Sequence, residues 1–113
     1  MPKYVFIYHQ PEGYVPGTDG AATAAWQSFF EGMADSIADP GLPVSDRQTL
    51  GDVGAATQLG GYTVVEANDL DSATSLARGC PTLTRSGGVE IGELVDLPAE
   101  HIASQLRNRV GTA

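Results

Sequence analysis

Residues 59–81, LGGYTVVEANDLDSATSLARGCP, are the stretch that decides the fold. Residues 62–67, YTVVEA, are rich in β-branched and aromatic side chains and follow a glycine pair that can form a turn, so they predict a strand. Asp69 or Asp71 can then accept hydrogen bonds from the free N–H groups at the start of a helix. Apolar residues recur at helical spacing until Gly79, which suits a helix exit. The stretch predicts a strand, a tight turn and a helix as one unit.

Length and composition predict a single domain that spans residues 1–113. The chain is 42% hydrophobic and 18% charged. A chain of this length can bury one core and is too short for two ordinary ones. We therefore expect one small domain.

Charge and hydropathy narrow the set of partners. The net charge is −8 with six Lys and Arg residues in total, so no basic surface offsets phosphate repulsion and nucleic acid is an unfavourable partner. No apolar run approaches the length of a membrane span, and no charged leader precedes the first predicted strand. We expect no membrane partner and a cytoplasmic location. The single Cys80 cannot form an internal disulfide, which is compatible with a reducing compartment.

The first predicted strand is residues 3–9, KYVFIYH, in which two largely apolar sets alternate. A strand that is apolar on both sides is usually covered on both sides, and the helices of a small domain cover only one. The second cover must come from elsewhere, and a second copy of the chain is the simplest source. The pattern predicts a homodimer that forms through the sheet face.

A loop and a helix follow this strand. Residues 10–19 are rich in glycine and proline and predict a loop, either a solvated connector or a lid over a cavity. Residues 20–39 carry apolar side chains on one helical face, with Thr18 or Asp19 as the cap. Trp26 lies on this face, where an aromatic residue is more often core or cavity wall than a cofactor contact.

Two more strands and a further helix complete the predicted order. Residues 42–50, LPVSDRQTL, predict a polar edge strand, and residues 89–95 predict a fourth strand. The order β-α-β-β-α-β is typical of an α+β, ferredoxin-like antiparallel sheet with two helices on one face. Residues 98–110 show helical spacing and predict an extra C-terminal helix.

The chain resembles the YCII-related family, small bacterial proteins that are relatives of the DGPF-domain proteins. The resemblance rests on Gly60-Gly61-Tyr62, the DLD of residues 69–71 and Cys80-Pro81, with Trp26 and residues 39–41, DPG, further upstream. It covers most of residues 3–95 and implies a dimeric α/β barrel, in which two sheets bury their bare faces against each other. The DGPF motif itself is absent, since GDVG stands in that neighbourhood. The chain therefore resembles the broader YCII-related group.

His9 is the candidate catalytic residue of the sequence. The two histidines are His9 and His101, and no metal-ligand spacing, phosphate-binding glycine motif or nucleophile elbow occurs. We therefore expect no metal and no cofactor. His9 ends the first strand beside the flexible loop, where a histidine can exchange protons near neutral pH, although a structural role is the more common one. Asp46 is its predicted catalytic partner.

The predicted ligand-binding residues surround the same strand end. They are Trp26, Tyr14 in the loop and Arg47 beside Asp46, and together they would wall a sheet-helix pocket. Members of the YCII-related family have been proposed to use a histidine–aspartate pair whose histidine lies in the first helix, but this helix contains no histidine. The resemblance therefore implies the fold and does not transfer that pair.

Two hypotheses for the function remain open. In the first, the protein binds a small apolar or aromatic molecule and carries out proton transfer or elimination through His9 and Asp46. In the second, it is a non-catalytic accessory or interaction protein whose core is filled by its own side chains. An open cavity favours the first hypothesis and a packed interior the second.

Overall fold

The computed structural model describes residues 1–54 and 56–97. The predicted helix at residues 98–110 lies outside this range, as does His101. The elements in chain order are β1 (Lys3–Pro11), α1 (Gly20–Gly32), a 3-10 turn (Ala34–Ser36), β2 (Ile37–Asp39), β3 (Thr57–Glu66), α2 (Leu70–Ala77), a second 3-10 turn (Pro81–Thr84) and β4 (Gly88–Leu94). Within the described range, no helix is long and apolar enough to span a bilayer.

The four strands form one antiparallel sheet in the order β2-β3-β1-β4. The first and third strands lie at the centre, as in a ferredoxin-like unit, and α1 and α2 each connect two strands. The α+β fold class predicted from the sequence is confirmed.

Aspartates begin both helices. The Asp19 carboxylate accepts hydrogen bonds from the backbone N–H groups of Ala21 (2.9 Å) and Ala22 (3.3 Å). The Asp69 carboxylate accepts one from Ser72 N–H at 2.7 Å. These backbone N–H groups favour the charged form of each carboxyl and hold its pKa below the usual value. The hydrogen bond from Ala22 has the largest effect on the pKa of Asp19, and the one from Ser72 has the largest effect on that of Asp69. Of the two residues predicted to cap the first helix, Thr18 and Asp19, the cap is Asp19. Of the two predicted for the second helix, Asp69 and Asp71, it is Asp69.

The core lies between the sheet and the helices. Tyr4, Phe6 and Tyr8 alternate along β1 and are buried on the helix side. They pack with α1 and α2 residues into one cluster whose other buried members are Phe29, Met33, Val65, Ala67, Ala73, Ala77 and Cys80. The buried face of β1 is therefore the aromatic one.

The opposite side of the sheet carries Val5, Ile7 and His9 from β1. Directly paired residues of antiparallel strands share a face, so Leu59, Tyr62, Val64 and Glu90 lie on this side too, as does Leu94 opposite Lys3. We call these eight residues the free face: Val5, Ile7, His9, Leu59, Tyr62, Val64, Glu90 and Leu94. None of the described helices packs on it, and Leu59 and Leu94 are each 45% exposed.

The predicted first helix and second strand differ most from the structure, while β1 and β3 are longer than predicted. The first helix, predicted to run to residue 39, ends at Gly32, because the chain turns to place Ile37 in β2 opposite Val65. The strand predicted at residues 42–50 is a single bridge between Pro43 and Gly61. β2 already occupies part of the edge of β3, and proline offers no N–H donor for a longer ladder.

Candidate ligand-binding site

A cavity of about 320 Å³ lies between α1, the loop at residues 12–19 and the edge of β3. We call it the Trp26 cavity. Its walls are mainly aromatic, proline and glycine residues, and none of the described residues that line it carries a charged side chain. The larger residues in its lining are Tyr8, Gln10, Tyr14, Trp26, Phe30 and Tyr62.

Trp26 is held in place by other aromatic rings. Its ring centroid lies 4.7 Å from that of Tyr8 with the planes at 77°. The Phe29 and Phe30 centroids lie 5.8 and 5.9 Å away. Such edge-to-face and tilted contacts are the favoured arrangements for aromatic pairs. Trp26 is half-buried, since it packs against this cluster and also lines the cavity.

A chain of two hydrogen bonds fixes the wall opposite α1. The Tyr8 hydroxyl donates to Thr63 Oγ1 at 2.8 Å, and the Thr63 hydroxyl donates to the Pro40 carbonyl at 2.9 Å. Burial raises the pKa of Tyr8 far above its usual value, more than the bond to Thr63 lowers it. The phenol therefore stays protonated at neutral pH and serves as a donor.

Glycines allow the segment at residues 40–43 to lie against β3. Gly41 has φ +69° and Gly61 has φ +150°, values that L side chains rarely adopt. A Cβ on Gly61 would also come within 2.8 Å of the Leu42 carbonyl oxygen. Val44 N–H then donates to the Gly60 carbonyl at 3.0 Å. The glycine pair that predicts a turn in the sequence instead permits this close backbone approach.

Gln58 fixes the loop at residues 12–19. Its amide nitrogen donates to the Tyr14 carbonyl at 2.8 Å, and its amide oxygen accepts from Gly13 N–H at 3.2 Å. Both ends of the side-chain amide are thus engaged by the loop. This clamp holds Tyr14 at the cavity wall.

Gln10 is a polar lining residue that the sequence pattern did not identify. It continues the buried alternation of β1 beyond Tyr8, lines the cavity and is 4% exposed. Its amide has no hydrogen-bond partner among residues 1–54 and 56–97. The alternation Tyr4, Phe6, Tyr8, Gln10 is the signal that could have found it, but the prediction ended the strand at His9.

The structure brings two of the predicted site residues to the cavity, Tyr14 and Trp26. Arg47 lies outside the lining, where its guanidinium donates to the Leu59 and Val44 carbonyls at 3.1 and 3.4 Å. Asp46 is exposed and makes no hydrogen bond with any other described residue.

His9 lies on the opposite side of the sheet from the cavity. Its Nε2 is 3.1 Å from Glu90 Oε1 on the free face, and its side chain is 33% exposed. The structure therefore pairs His9 with Glu90 rather than with Asp46. The catalytic roles of His9 and Asp46 stay predictions.

The fold and the cavity define a small ferredoxin-like domain with a preformed pocket. Residues 8–98 match the YCII-related domain, and this chain belongs to that family. No curated protein sequence matches it significantly.

A solved structure shares the fold. It is the 5-chloro-2-hydroxyhydroquinone dehydrochlorinase TftG from Burkholderia phenoliruptrix AC1100, in complex with 2,5-dihydroxybenzoquinone. The two chains are 19% identical with a TM-score of 0.53, over 83% of this chain and 95% of that one. At this identity the likeness shows the fold alone.

Proposed function

We propose that this protein binds a small, uncharged, largely aromatic molecule in the Trp26 cavity. The observation that carries the proposal is the cavity itself, about 320 Å³ in volume and walled by Trp26, Tyr8, Tyr14 and Phe30. A dry apolar cavity of about 150 Å³ is enough to hold benzene. The observed volume therefore accommodates a single substituted ring.

The electrostatics favour an uncharged ligand. None of the described lining residues is charged, and the chain as a whole carries a net charge of −8. An anion would lack a counter-charge and a cation a carboxylate, and burying an unpaired charge is costly. Stacking on the wall aromatics would supply the main attraction.

The dehydrochlorinase of similar fold is complexed with a single-ring quinone, which is consistent with this ligand class. The open cavity favours binding over the alternative of a filled core. Neither His9 nor Asp46 lines the cavity, so the proposed function is binding. Proton transfer or elimination remains a prediction of the sequence.

Trp26 makes the proposal measurable, because it is the single tryptophan of the chain. Titration with toluene should change its fluorescence along a saturable curve. Thr23→Phe should weaken the response, since Thr23 lines the cavity. Ala24→Phe is the matched control, because Ala24 is exposed on the same helix and is not part of the lining. A response that is absent, or that is equally weakened in both variants, would contradict the proposal.

We also propose that two copies of the chain pair through the free face. Val5, Ile7 and Val64 form its apolar centre and are partly exposed in the single chain. Burial of apolar surface is the main driving force for such association. The barrel implied by the family resemblance joins two sheets in this way, and the His9–Glu90 pair would then lie within the interface.

A further inference from the structure

Gln10 carries a buried amide that residues 1–54 and 56–97 leave unpaired. The residue is 4% exposed, yet its side chain forms no hydrogen bond with the described part of the chain. No side-chain nitrogen or oxygen that is fully sealed within the described structure lacks a partner. The Gln10 amide therefore keeps some accessible surface, and the surface available to it is that of the Trp26 cavity, which it lines.

Two neighbouring polar side chains, those of Tyr8 and Gln58, are already engaged by the protein. The Tyr8 hydroxyl donates to Thr63, and the Gln58 amide is held by Gly13 and Tyr14. Buried polar groups in native proteins nearly always have partners, and an unpaired one destabilises the fold. Gln10 thus places a buried amide, unpaired within the described range, in a largely aromatic wall, the usual arrangement of a ligand-orienting residue.

The backbone beneath Gln10 is shaped to hold this side chain. The pairing of β1 with β3 shifts register between Tyr8, which lies opposite Gly61, and His9, which lies opposite Leu59. Gly60 therefore has no partner residue on β1. A Cβ at position 60 would overlap Gln10 Cγ and would lie 3.2 Å from the Tyr8 carbonyl oxygen. The glycine therefore provides the space in which the Gln10 stem lies.

We infer that Gln10 determines specificity in this cavity, selecting ring compounds that carry a neutral group able both to donate and to accept a hydrogen bond. A phenolic hydroxyl is such a group. The side-chain amide presents an N–H donor and a carbonyl acceptor side by side, so a hydroxyl that enters the cavity can satisfy either one. This inference rests on the proposed function and names the ligand class.

The test compares phenol with toluene, which has a methyl group in place of the hydroxyl. Each is titrated into the wild-type protein, Gln10→Met and Gln27→Met, with Trp26 fluorescence excited at the red edge of its absorption. Gln27 is exposed on α1 and does not line the cavity, so it is the matched control. Q10M should lower the affinity for phenol about tenfold, the equivalent of about 1.4 kcal/mol, and leave that for toluene unchanged. Q27M should change neither.

Two results would overturn the inference. If Q10M changes the affinities for phenol and toluene equally or not at all, Gln10 does not select the ligand, while saturable binding of toluene would still uphold the proposed function. If neither probe binds the wild-type protein, both proposals fail. The thermal midpoint without ligand is a separate readout. Q10M should match or exceed the wild type because it removes an unpaired amide, and a lower midpoint would show that the amide is satisfied internally and contradict the inference.

Discussion

The Trp26 indole meets the Tyr8 ring edge to face, with centroids 4.7 Å apart and planes at 77°. This contact joins α1 to β1 at the point where the cavity opens between them. The same two residues thus contact the core on one side and line the Trp26 cavity on the other.

Replacement of Trp26 by alanine should lower the free energy of unfolding by roughly 2–3 kcal/mol. The loss is smaller than for a fully buried aromatic residue because Trp26 is half-buried. Chemical denaturation followed by circular dichroism measures it. Gln27→Ala, at an exposed neighbouring position, should stay within about 0.5 kcal/mol of the wild type. Equal losses in the two variants would show that Trp26 is not part of the packed cluster.

The chain of two hydrogen bonds from Tyr8 through Thr63 to Pro40 predicts that substitutions of its two side chains lower the free energy of unfolding by different amounts. Thr63→Val should cost about 1–3 kcal/mol, because it leaves the buried Tyr8 hydroxyl without its acceptor. Tyr8→Phe should cost less, about 0.5–1.5 kcal/mol, because Thr63 can still donate to the Pro40 carbonyl. Urea denaturation of both variants gives the comparison, and a larger loss for Tyr8→Phe would contradict this chain of hydrogen bonds.

Two glycines of the sheet should respond differently to the addition of a methyl group. Gly60→Ala should destabilise the protein by about 1–3 kcal/mol, because the new Cβ overlaps the Gln10 stem. Gly88→Ala should be neutral to within about 0.5 kcal/mol, since no heavy atom lies within 4 Å of the added Cβ. Thermal unfolding of the pair measures the difference. A neutral Gly60→Ala would mean that Gln10 does not lie over Gly60.

Assembly through the free face predicts a mass of twice the 11.8 kDa chain in light scattering at micromolar concentration. Ile7→Lys places a charge at the centre of this face and should give the single-chain mass. Leu70→Lys is the control, because Leu70 is 50% exposed at the start of α2 and lies outside the free face. A wild-type protein with the mass of one chain would rule out the dimer.

The local parts of the fold could be predicted from the sequence. Periodicity and capping residues identify β1, α2 and the turn between β3 and α2, because these elements depend on neighbours in the chain. β2 could not be found, since Ile37 fits the helical stripe of α1 equally well and only its pairing with Val65 makes it a strand residue.

The candidate site was predictable in part for the same physical reason. Trp26 and Tyr14 could be placed near a pocket because a helix stripe and a loop beside a strand end meet there. Alternation alone does not tell which face the helices cover, so the sequence does not decide on which side of the sheet His9 lies. The sequence pattern did not identify Gln10 because its burial depends on the continued pairing of β1 with residues 57–59, which lie far away in the chain.

An NMR titration of the uniformly ¹⁵N-labelled protein with phenol tests the central claim, that the ligand enters the Trp26 cavity. We expect saturable shifts in the indole N–H of Trp26 and in the backbone amides of Gln10, Gly60 and Gly61, with little change at His9. Shifts centred on the free face, or the absence of saturable shifts, would contradict it.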